Sequence, residues 1–357
     1  MTSGVGSTEP PKSEGPALPA RERGNSVVAL PGDGVGPEVI DEAERLLTEI
    51  APELVFERYP FGGAAIDELG DPLPPETLAA ARAADAVLLG AVGGPAWEGG
   101  ARRPEEGLIT IRSELGVYAN LRPARYGKVD LLIVRELLGG LYYGESGVRP
   151  DGTVYDTLEY HPDEVERVAR RAFELARGRR GRLMSVDKAN VMSTSRMWRR
   201  VVTEVGRDYP DVELTHALAD STAMRIVTHP ETFDTLVMEN TFGDILSDVA
   251  AGVAGGLGIA ASASLGDGGP AVYEPVHGSA PDIAGRGMAN PAAMLRSVAM
   301  MLRYSFGNAV LADHVDDAVD AALIAVPTPD LGGSHSTPDV TDHVLATLRT
   351  LHLEEAR

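Results

Sequence analysis

Two aspartates, Asp244 and Asp248, lie four residues apart in the segment NTFGDILSD, and no Lys or Arg stands near them in the sequence. On a helix this spacing places both carboxylates on one face, where like charges repel each other. A pair of hard oxygen donors held in this way could bind Mg²⁺ or Mn²⁺, with substrate and water completing the coordination. The alternative is structural: Asp244 complements the helix dipole and Asp248 faces solvent.

Basic side chains mark three other segments. Arg112 and Arg122 lie in LITIRSELGVYANLRP, Arg135 lies with Tyr142 in LLIVRELLGGLYYGE, and Lys188 follows a strand-like run in SVDKANVM. In a chain this acidic, these groups favour a pocket for a substrate with several carboxylates, since a guanidinium binds a carboxylate through two hydrogen bonds. Taken singly, each arginine is typical of a surface ion pair, and Lys188 is typical of a solvated residue.

Composition limits the possible functions. The chain has 357 residues, no cysteine, and 32 basic against 53 acidic residues, for a net charge of −21. This charge argues against nucleic acid and anionic membranes as partners, and the lack of cysteine excludes disulfide and thiolate chemistry. No uninterrupted apolar stretch is long enough for a membrane span. Residues 1–25 are rich in Gly, Pro, Ser and Glu and lack the apolar core of a signal peptide, so we predict a disordered tail and a cytoplasmic protein.

Short apolar runs alternate with helix-like segments, and this alternation predicts an α/β protein with a largely parallel sheet. The predicted strands are 26–30, 86–90, 130–134, 182–186 and 234–238, and helices are predicted after Pro37 and over 163–177. The strand 234–238 is followed by a predicted turn over 239–242. Asp244 and Asp248 would then lie in the first two turns of the next helix, near the crevice where open α/β sheets bind ligands.

The glycine-rich loop GDGVG follows the first strand and precedes a helix. Its spacing is G-x-G-x-G, which differs from the dinucleotide fingerprint G-x-G-x-x-G, and no acidic residue stands at the distance expected for ribose binding. A cofactor loop and a simple tight strand-to-helix turn are both compatible with this pattern.

Ten motifs, in order from about Ser26 to the C-terminus, resemble those of the β-decarboxylating dehydrogenases, and most of all the isopropylmalate branch of that family. They are LPGDGVGPEV, FGGAAID, LLGAVGGPAW, NLRPA, VDLLIVREL, SVDKANV, FGDILSD, SASLG, EPVHGSAPDIAG and TPDLGGS. The resemblance implies a two-domain isocitrate/isopropylmalate dehydrogenase-like α/β fold whose cofactor site is not of the Rossmann type. A discontinuous cofactor-binding domain would comprise 26–117 and 258–357, and 118–257 would bind substrate and metal and form a homodimer.

The resemblance also implies roles for individual residues. The substrate would contact Arg112, Arg122, Arg135, Asp220, Leu108, Ile109, Asn190 and Val191. The divalent cation, Mg²⁺ or Mn²⁺, would be held by Asp220, Asp244 and Asp248. Lys188 would take the proton of the substrate hydroxyl and Tyr142 would protonate the enol left by decarboxylation, with Lys188 and Asp220 supplied by the neighbouring subunit.

The implied cofactor is NAD. Its binding residues would be Gly94, Glu105, Glu274, His277, Gly278, Ser279, Ala280, Asp282, Ile283 and Asn290. Asp282 would accept hydrogen bonds from the ribose 2′-hydroxyl and repel the 2′-phosphate of NADP, and the GDGVG loop would lie beside the cofactor.

The activity implied by the resemblance is the NAD-dependent oxidative decarboxylation of (2R,3S)-3-isopropylmalate to 4-methyl-2-oxopentanoate and CO₂ in leucine biosynthesis. Alternatives are the same chemistry on another 3-alkylmalate, D-malate or tartrate, and, in another class, a non-catalytic regulatory subunit. Three local departures from the family pattern leave room for a pathway-specific enzyme. They are the short RYGK connection, Glu239 and Thr241 beside Asn240, and Ser221 and Thr222 after Asp220.

Overall fold

The computed structural model describes residues 24–355, which form twelve strands and eleven α-helices. The strands are β1 Ser26–Gly32, β2 Val55–Arg58, β3 Ala86–Ala91, β4 Ala119–Tyr126, β5 Val129–Glu136, β6 Ser146–Val148, β7 Val154–Asp156, β8 Arg182–Asp187, β9 Glu213–Leu218, β10 Thr235–Met238, β11 Ala261–Leu265 and β12 Ala271–Pro275. The helices are α1 Gly36–Ile50, α2 Gly62–Leu69, α3 Pro75–Ala83, α4 Pro104–Glu114, α5 Pro162–Arg177, α6 Ser193–Gly206, α7 Ala219–Thr228, α8 Asn240–Val253, α9 Ala292–Tyr304, α10 Ala309–Ala325 and α11 Thr337–Glu355.

Ten of these strands form one sheet in the order β2-β1-β3-β12-β11-β4-β5-β10-β8-β9, and β6 pairs with β7 in a separate hairpin. The neighbours in the large sheet are parallel except at β12-β11, β11-β4 and β4-β5. The predicted α/β class with a largely parallel sheet is therefore confirmed. The first five strands in this order come from 26–117 and 258–357, and the other five from 118–257, so the division into two domains, which stays a proposal, would pass between β11 and β4.

The predicted strands and helices are present because buried apolar residues recur at the right period. The central strand β3 is buried at every position, as expected for a parallel strand covered on both faces. Helix α1 buries the stripe Val39, Ile40, Ala43, Leu46 and Leu47 against the sheet, with Pro37 in its first turn. The short RYGK connection is a tight link between β4 and β5, in which Gly127 adopts a φ of +60°.

Two local predictions were wrong. Residues 239–242 do not form a turn, because Glu239 caps α8 by accepting hydrogen bonds from the backbone N–H groups of Thr241 and Phe242, and the helix begins at Asn240. Asp244 and Asp248 therefore lie in the second and third turns of α8. Gly24 and Asn25 were assigned to the disordered tail. Instead the N–H of Gly24 donates to Asp85 and the Asn25 amide donates to a carbonyl at position 53.

The remainder of the predicted tail, residues 1–23, lies outside the described residues. Across 24–355, no helix is long and apolar enough to cross a membrane.

Candidate active site

A cavity of about 320 Å³ opens at the carboxyl ends of β3, β5 and β12, the edge of the sheet where ligands of α/β proteins bind. Its wall brings together side chains from six separate segments of the chain. Predicted site residues that line it are Glu105, Leu108, Ile109, Arg112, Arg122, Arg135, Tyr142, Asp244, Glu274, His277 and Gly278.

Arg135, at the end of β5, is the most deeply buried cation of this cavity. Its Nη1 atom donates to Asp244, and its Nε atom donates to Oδ1 of Asn240 at 2.8 Å. Burial, and then the nearby charge of Arg122, lowers the pKa of Arg135 to about 10. The guanidinium remains a cation at neutral pH, so it can bind an anionic substrate.

Arg122 on β4 pairs with the second aspartate. Its Nη1 atom donates to Oδ1 of Asp248 at 3.2 Å and to the Ser247 hydroxyl at 2.8 Å, while Nε donates to Oδ1 of Asn120 at 2.9 Å. Burial lowers the pKa of Arg122. Partial burial raises the pKa of Asp248, an effect that Arg122 opposes and the neighbouring Asp244 reinforces. The same-face repulsion predicted from the sequence is therefore present, and two arginines from distant strands offset it.

Arg112, on α4, contacts a different acid. Its Nη2 atom donates to Oε1 of Glu274 at 2.6 Å, and its Nε atom is buried without a hydrogen-bond partner in the described chain. A buried, unpartnered guanidinium N–H is costly unless a ligand accepts from it. Arg112 thus has donor capacity left for a substrate carboxylate, and Glu274 lines the same cavity.

Tyr142 lies in the short turn Gly140–Tyr142 after β5 and is 46% exposed. Its hydroxyl donates to Oδ2 of Asp244 at 3.1 Å, and the Arg135 guanidinium lies 5.8 Å from the centre of its ring. Burial, and then the charge of Asp244, raises the pKa of Tyr142. The phenol therefore holds its proton at neutral pH, as a proton donor must.

The chemistry of Asp244 and Asp248 fits a divalent cation. Both are carboxylates on one face of α8, and their side chains are 36% and 51% exposed. Asp244 lines the cavity, and Asp248 lies one helical turn beyond it. Within residues 24–355 of one chain, however, no group of three acidic or histidine side chains converges to hold a metal ion. Substrate and water could complete the coordination of a cation held by these two carboxylates.

Lys188 and Asp220 form a pair of their own, with Nζ of Lys188 2.7 Å from Oδ1 of Asp220. This contact lowers the pKa of Asp220. Neither residue lines the cavity, and Asn190 and Val191 beside Lys188 are exposed outside it as well. The structure of one chain therefore separates these four predicted site residues from the arginines and from Asp244.

The two unusual residues after Asp220 have a structural explanation. The hydroxyls of Ser221 and Thr222 both donate to the carbonyl oxygen of Leu218, at 2.9 and 3.0 Å. Thr222 is fully buried. Both hydroxyls are thus used at the start of α7 and need not alter the metal site.

The segment 277–290 forms a loop beside the GDGVG turn. The N–H of Val35 donates to the carbonyl of Ser279 at 2.8 Å, and a Cβ on Gly34 would lie 1.9 Å from that oxygen. Ala280 is the one non-glycine residue with a positive φ, +39°, in the described chain, a strained conformation that is common at ligand sites. The GDGVG loop therefore serves a tight turn that holds the predicted cofactor segment.

Individual side chains of this segment have different surroundings. Burial lowers the pKa of His277, whose Nε2 atom is buried without a hydrogen-bond partner in the described residues. Asp282 is exposed, so its carboxylate is available to a ligand, and Ile283 is half-buried. Asn290 is buried and already engaged, donating to Asp330 at 3.1 Å and accepting from the N–H of Ala292 at 3.0 Å.

Glu105 lines the cavity, and Gly94 lies near Ser279 in a segment that is held by a residue not predicted from the sequence. Asp33, in the GDGVG loop, accepts hydrogen bonds from the backbone N–H groups of Gly63, Ala64 and Gly93 at 2.8–2.9 Å. Burial raises the pKa of Asp33, and these three hydrogen bonds oppose the rise.

The site is also held in place by three residues that were not predicted from the sequence. Glu38 on α1 accepts from the backbone N–H groups of Gly285 and Gly287. Asn120 and Asn240 accept from the Nε atoms of Arg122 and Arg135. A glutamate in the first turn of a helix and a buried asparagine beside an arginine were the only signals available, and both occur widely without function.

Known proteins resemble this chain over nearly all of the described residues. A family model for isocitrate/isopropylmalate dehydrogenase matches residues 26–344. The 3-isopropylmalate dehydrogenases of Shouchella clausii and Oceanobacillus iheyensis are 50% and 47% identical to this chain. The two matches cover 90% and 92% of this chain and 97% of each relative. Two solved structures are also similar. Isocitrate dehydrogenase from Methylococcus capsulatus has 34% sequence identity and a TM-score of 0.84, and the match covers 91% of this chain and 99% of that one. A β-decarboxylating dehydrogenase from Thermococcus kodakarensis has 38% identity and a TM-score of 0.80, and the match covers 93% of this chain and 98% of that one. The chain belongs to the isocitrate/isopropylmalate dehydrogenase family.

Proposed function

We propose that this chain catalyses the NAD-dependent oxidative decarboxylation of (2R,3S)-3-isopropylmalate to 4-methyl-2-oxopentanoate and CO₂, a step of leucine biosynthesis. The observation that carries the proposal is a cavity that combines three arginines with the apolar side chains of Leu108 and Ile109. The arginines suit a dicarboxylate and the apolar pair suits an alkyl group at C3. The names of the curated relatives support the isopropylmalate branch and give no support to tartrate or D-malate.

The arginines bind and orient the substrate. Arg112 has a free buried Nε–H, and Arg122 and Arg135 direct their terminal nitrogens into the cavity, so a malate carboxylate can replace some of their contacts with Glu274, Asp244 and Asp248. Such binding holds C2 in one orientation toward the cofactor. When bound, NAD accepts the hydride from C2, and the segment 277–290 with Gly94 and Glu105 would hold it.

Asp244 and Asp248, with Asp220 of a second chain, would hold the divalent cation. When bound, that ion supplies a Lewis acid for the oxygen on C2 of the substrate. Lys188 of the second chain would accept the proton of the C2 hydroxyl. Loss of CO₂ would leave an enolate, whose oxygen would regain the proton held by Lys188 to give the enol. Tyr142 would then donate its hydroxyl proton to C3 and regain a proton from solvent, while the enol hydroxyl loses its proton to solvent as the ketone re-forms.

A homodimer would bring these groups together. One support for a homodimer is the separation of Lys188 and Asp220 from the cavity. Another is an exposed apolar surface on the adjacent helices α7 and α8. Met224, Val227 and Ile245 are 62%, 58% and 57% exposed, which is unusual for large apolar side chains on neighbouring helices. We propose that this surface packs against its counterpart around a twofold axis. A cytoplasmic location stays a prediction from the sequence.

The direct test is the stoichiometry of the reaction. Purified protein is incubated with NAD, Mg²⁺ and (2R,3S)-3-isopropylmalate, and NADH, CO₂ and 4-methyl-2-oxopentanoate are measured. Equal amounts of all three, abolished by a chelator and restored by Mg²⁺ or Mn²⁺, are expected. NADH without CO₂, or no turnover at all, would contradict the proposal, and the second result would favour the non-catalytic alternative.

A further inference from the structure

Asn240, the first residue of α8, is fully buried, and its side-chain amide is hydrogen-bonded on both sides. Oδ1 accepts from Nε of Arg135 at 2.8 Å, and Nδ2 donates to the carbonyl oxygens of Leu137 and Gly139 at 3.1 and 2.8 Å. The reversed amide would place an oxygen against two carbonyls and an NH₂ group against a guanidinium N–H. The amide of Asn240 therefore has one allowed orientation.

This orientation determines how Arg135 enters the cavity. The stem of Arg135 packs closely on α8, because a Cβ on Gly243 would lie only 2.5 Å from its Cγ atom. With the stem confined and Nε bound to Asn240, the plane of the guanidinium is fixed. The terminal nitrogens then face Asp244 and the space available to a substrate carboxylate.

The same amide also holds the segment that carries Tyr142. Leu137 and Gly139 lead directly into the turn Gly140–Tyr142. Gly140 has a φ of +76° and packs so closely on Tyr160 that a Cβ would lie 2.5 Å from the tyrosine oxygen. That oxygen in turn accepts the backbone N–H of Asn240 at 3.0 Å. The side chain and the backbone N–H of Asn240 thus both hold the beginning of this turn.

We propose that Asn240 is a positioning residue that fixes the position of Arg135 relative to Tyr142. The substrate carboxylate bound by Arg135 and the proton donor Tyr142 are thereby held in a fixed relative geometry. The inference rests on the proposed function, since it assigns Tyr142 the protonation of C3. It predicts that disturbing Asn240 affects both substrate binding and the face from which C3 receives its proton. A residue that only supported the fold would not control that face.

Asn120 provides a matched control within the chain. It is also fully buried, its Oδ1 accepts from Nε of Arg122, and its amide donates to the hydroxyls of Ser262 and Ser264 at 2.8 and 2.9 Å. It therefore orients a substrate arginine in the same manner, but none of its contacts reaches the turn that carries Tyr142. Replacing it should impair binding alone.

The test compares Asn240→Asp and Asn120→Asp, which keep the accepting oxygen and lose the two N–H donations. The reaction is run in D₂O, the product is decarboxylated at once with peroxide to 3-methylbutanoate, and the configuration at the deuterated carbon is determined. Each variant should lose about 10- to 100-fold in kcat/KM, because the loss of two buried hydrogen bonds releases the side chain that holds the arginine. Only Asn240→Asp should also lower kcat and give a mixture of deuterium configurations.

Retained configuration and unchanged kcat in Asn240→Asp would overturn the inference while leaving the proposed function intact, because the wild-type protein would still turn over the substrate. No turnover by the wild-type protein would contradict the proposed function, and the role of Asn240 would fall with it. Asn240→Ser serves as the second variant should Asn240→Asp fold poorly, with the melting temperature measured for each. Mixed configuration in Asn120→Asp as well would also count against a role specific to Asn240.

Discussion

Nζ of Lys188 lies 2.7 Å from Oδ1 of Asp220, and neither side chain lines the cavity that Tyr142 and Asp244 share. If Lys188 is the base, Asp220 a metal ligand and Tyr142 the proton donor, as we propose, one chain does not bring these groups together, and a complete site would form where two chains meet.

Mixed dimers should recover activity that each parent variant lacks. Lys188→Ala and Tyr142→Phe should each lose nearly all turnover. After co-expression, random pairing makes half of the dimers mixed, each with one intact site, so about a quarter of wild-type activity is expected. Activity as low as in the separate variants would mean that both residues act within one chain.

Asp244→Asn should abolish turnover by weakening the cation site. Calorimetric titration with Mg²⁺ should show a dissociation constant raised by at least about tenfold. The variant should still fold, although the lost contact with the buried Arg135 is expected to cost about 1–3 kcal/mol, against a small gain from reduced repulsion with Asp248. Glu49→Gln, an exposed acid on α1, is the control. Normal turnover at limiting Mg²⁺ would remove Asp244 from the metal site.

Asp282→Lys should shift the cofactor preference toward NADP. The exposed acid repels a 2′-phosphate and a lysine attracts it, so the ratio of kcat/KM for NADP over NAD should rise by about tenfold or more. Glu204→Lys, an equal change of charge on α6, should leave this ratio unchanged. If Asp282→Lys also leaves the ratio unchanged, Asp282 does not contact the ribose.

Leu108→Ser should reduce the advantage of an alkyl-substituted malate. Leu108 lines the cavity together with Ile109, and burying three carbons stabilises a complex by about 2–2.5 kcal/mol, or roughly 30- to 70-fold in kcat/KM. In the variant, the ratio of kcat/KM for 3-isopropylmalate over D-malate should fall, mainly because kcat/KM for 3-isopropylmalate decreases. An unaltered ratio would show that Leu108 does not contact the C3 substituent.

The charged side chains that line the cavity were easier to predict from the sequence than the residues that hold them in place. Arg112 on α4, Arg122 on β4 and Arg135 at the end of β5 meet at one cavity, because the antiparallel pairing places the beginning of β4 beside the carboxyl end of β5. Asp33 and Asn240, in contrast, act through hydrogen bonds to residues that are 30 to 105 positions away in the chain. No local period or spacing encodes such contacts.

The start of α8 shows a second limit. The segment 239–242 was predicted as a turn, yet Glu239 caps the helix with its longer side chain. The predicted repulsion between Asp244 and Asp248 was sound, but its compensation by two arginines depends on the antiparallel pairing of β4 with β5, in which Arg135 lies opposite Asn120. That register was not accessible from the sequence.

The most direct test of the account is the substrate specificity of the wild-type protein. With NAD and Mg²⁺ held constant, kcat/KM is measured for (2R,3S)-3-isopropylmalate, D-malate, tartrate and isocitrate. We expect isopropylmalate to exceed D-malate by tens of fold, and isocitrate to be nearly inert, because its extra carboxylate would lie against Leu108 and Ile109 without a partner. Isocitrate or tartrate oxidised as well as isopropylmalate would contradict both the apolar pocket and the role in leucine biosynthesis.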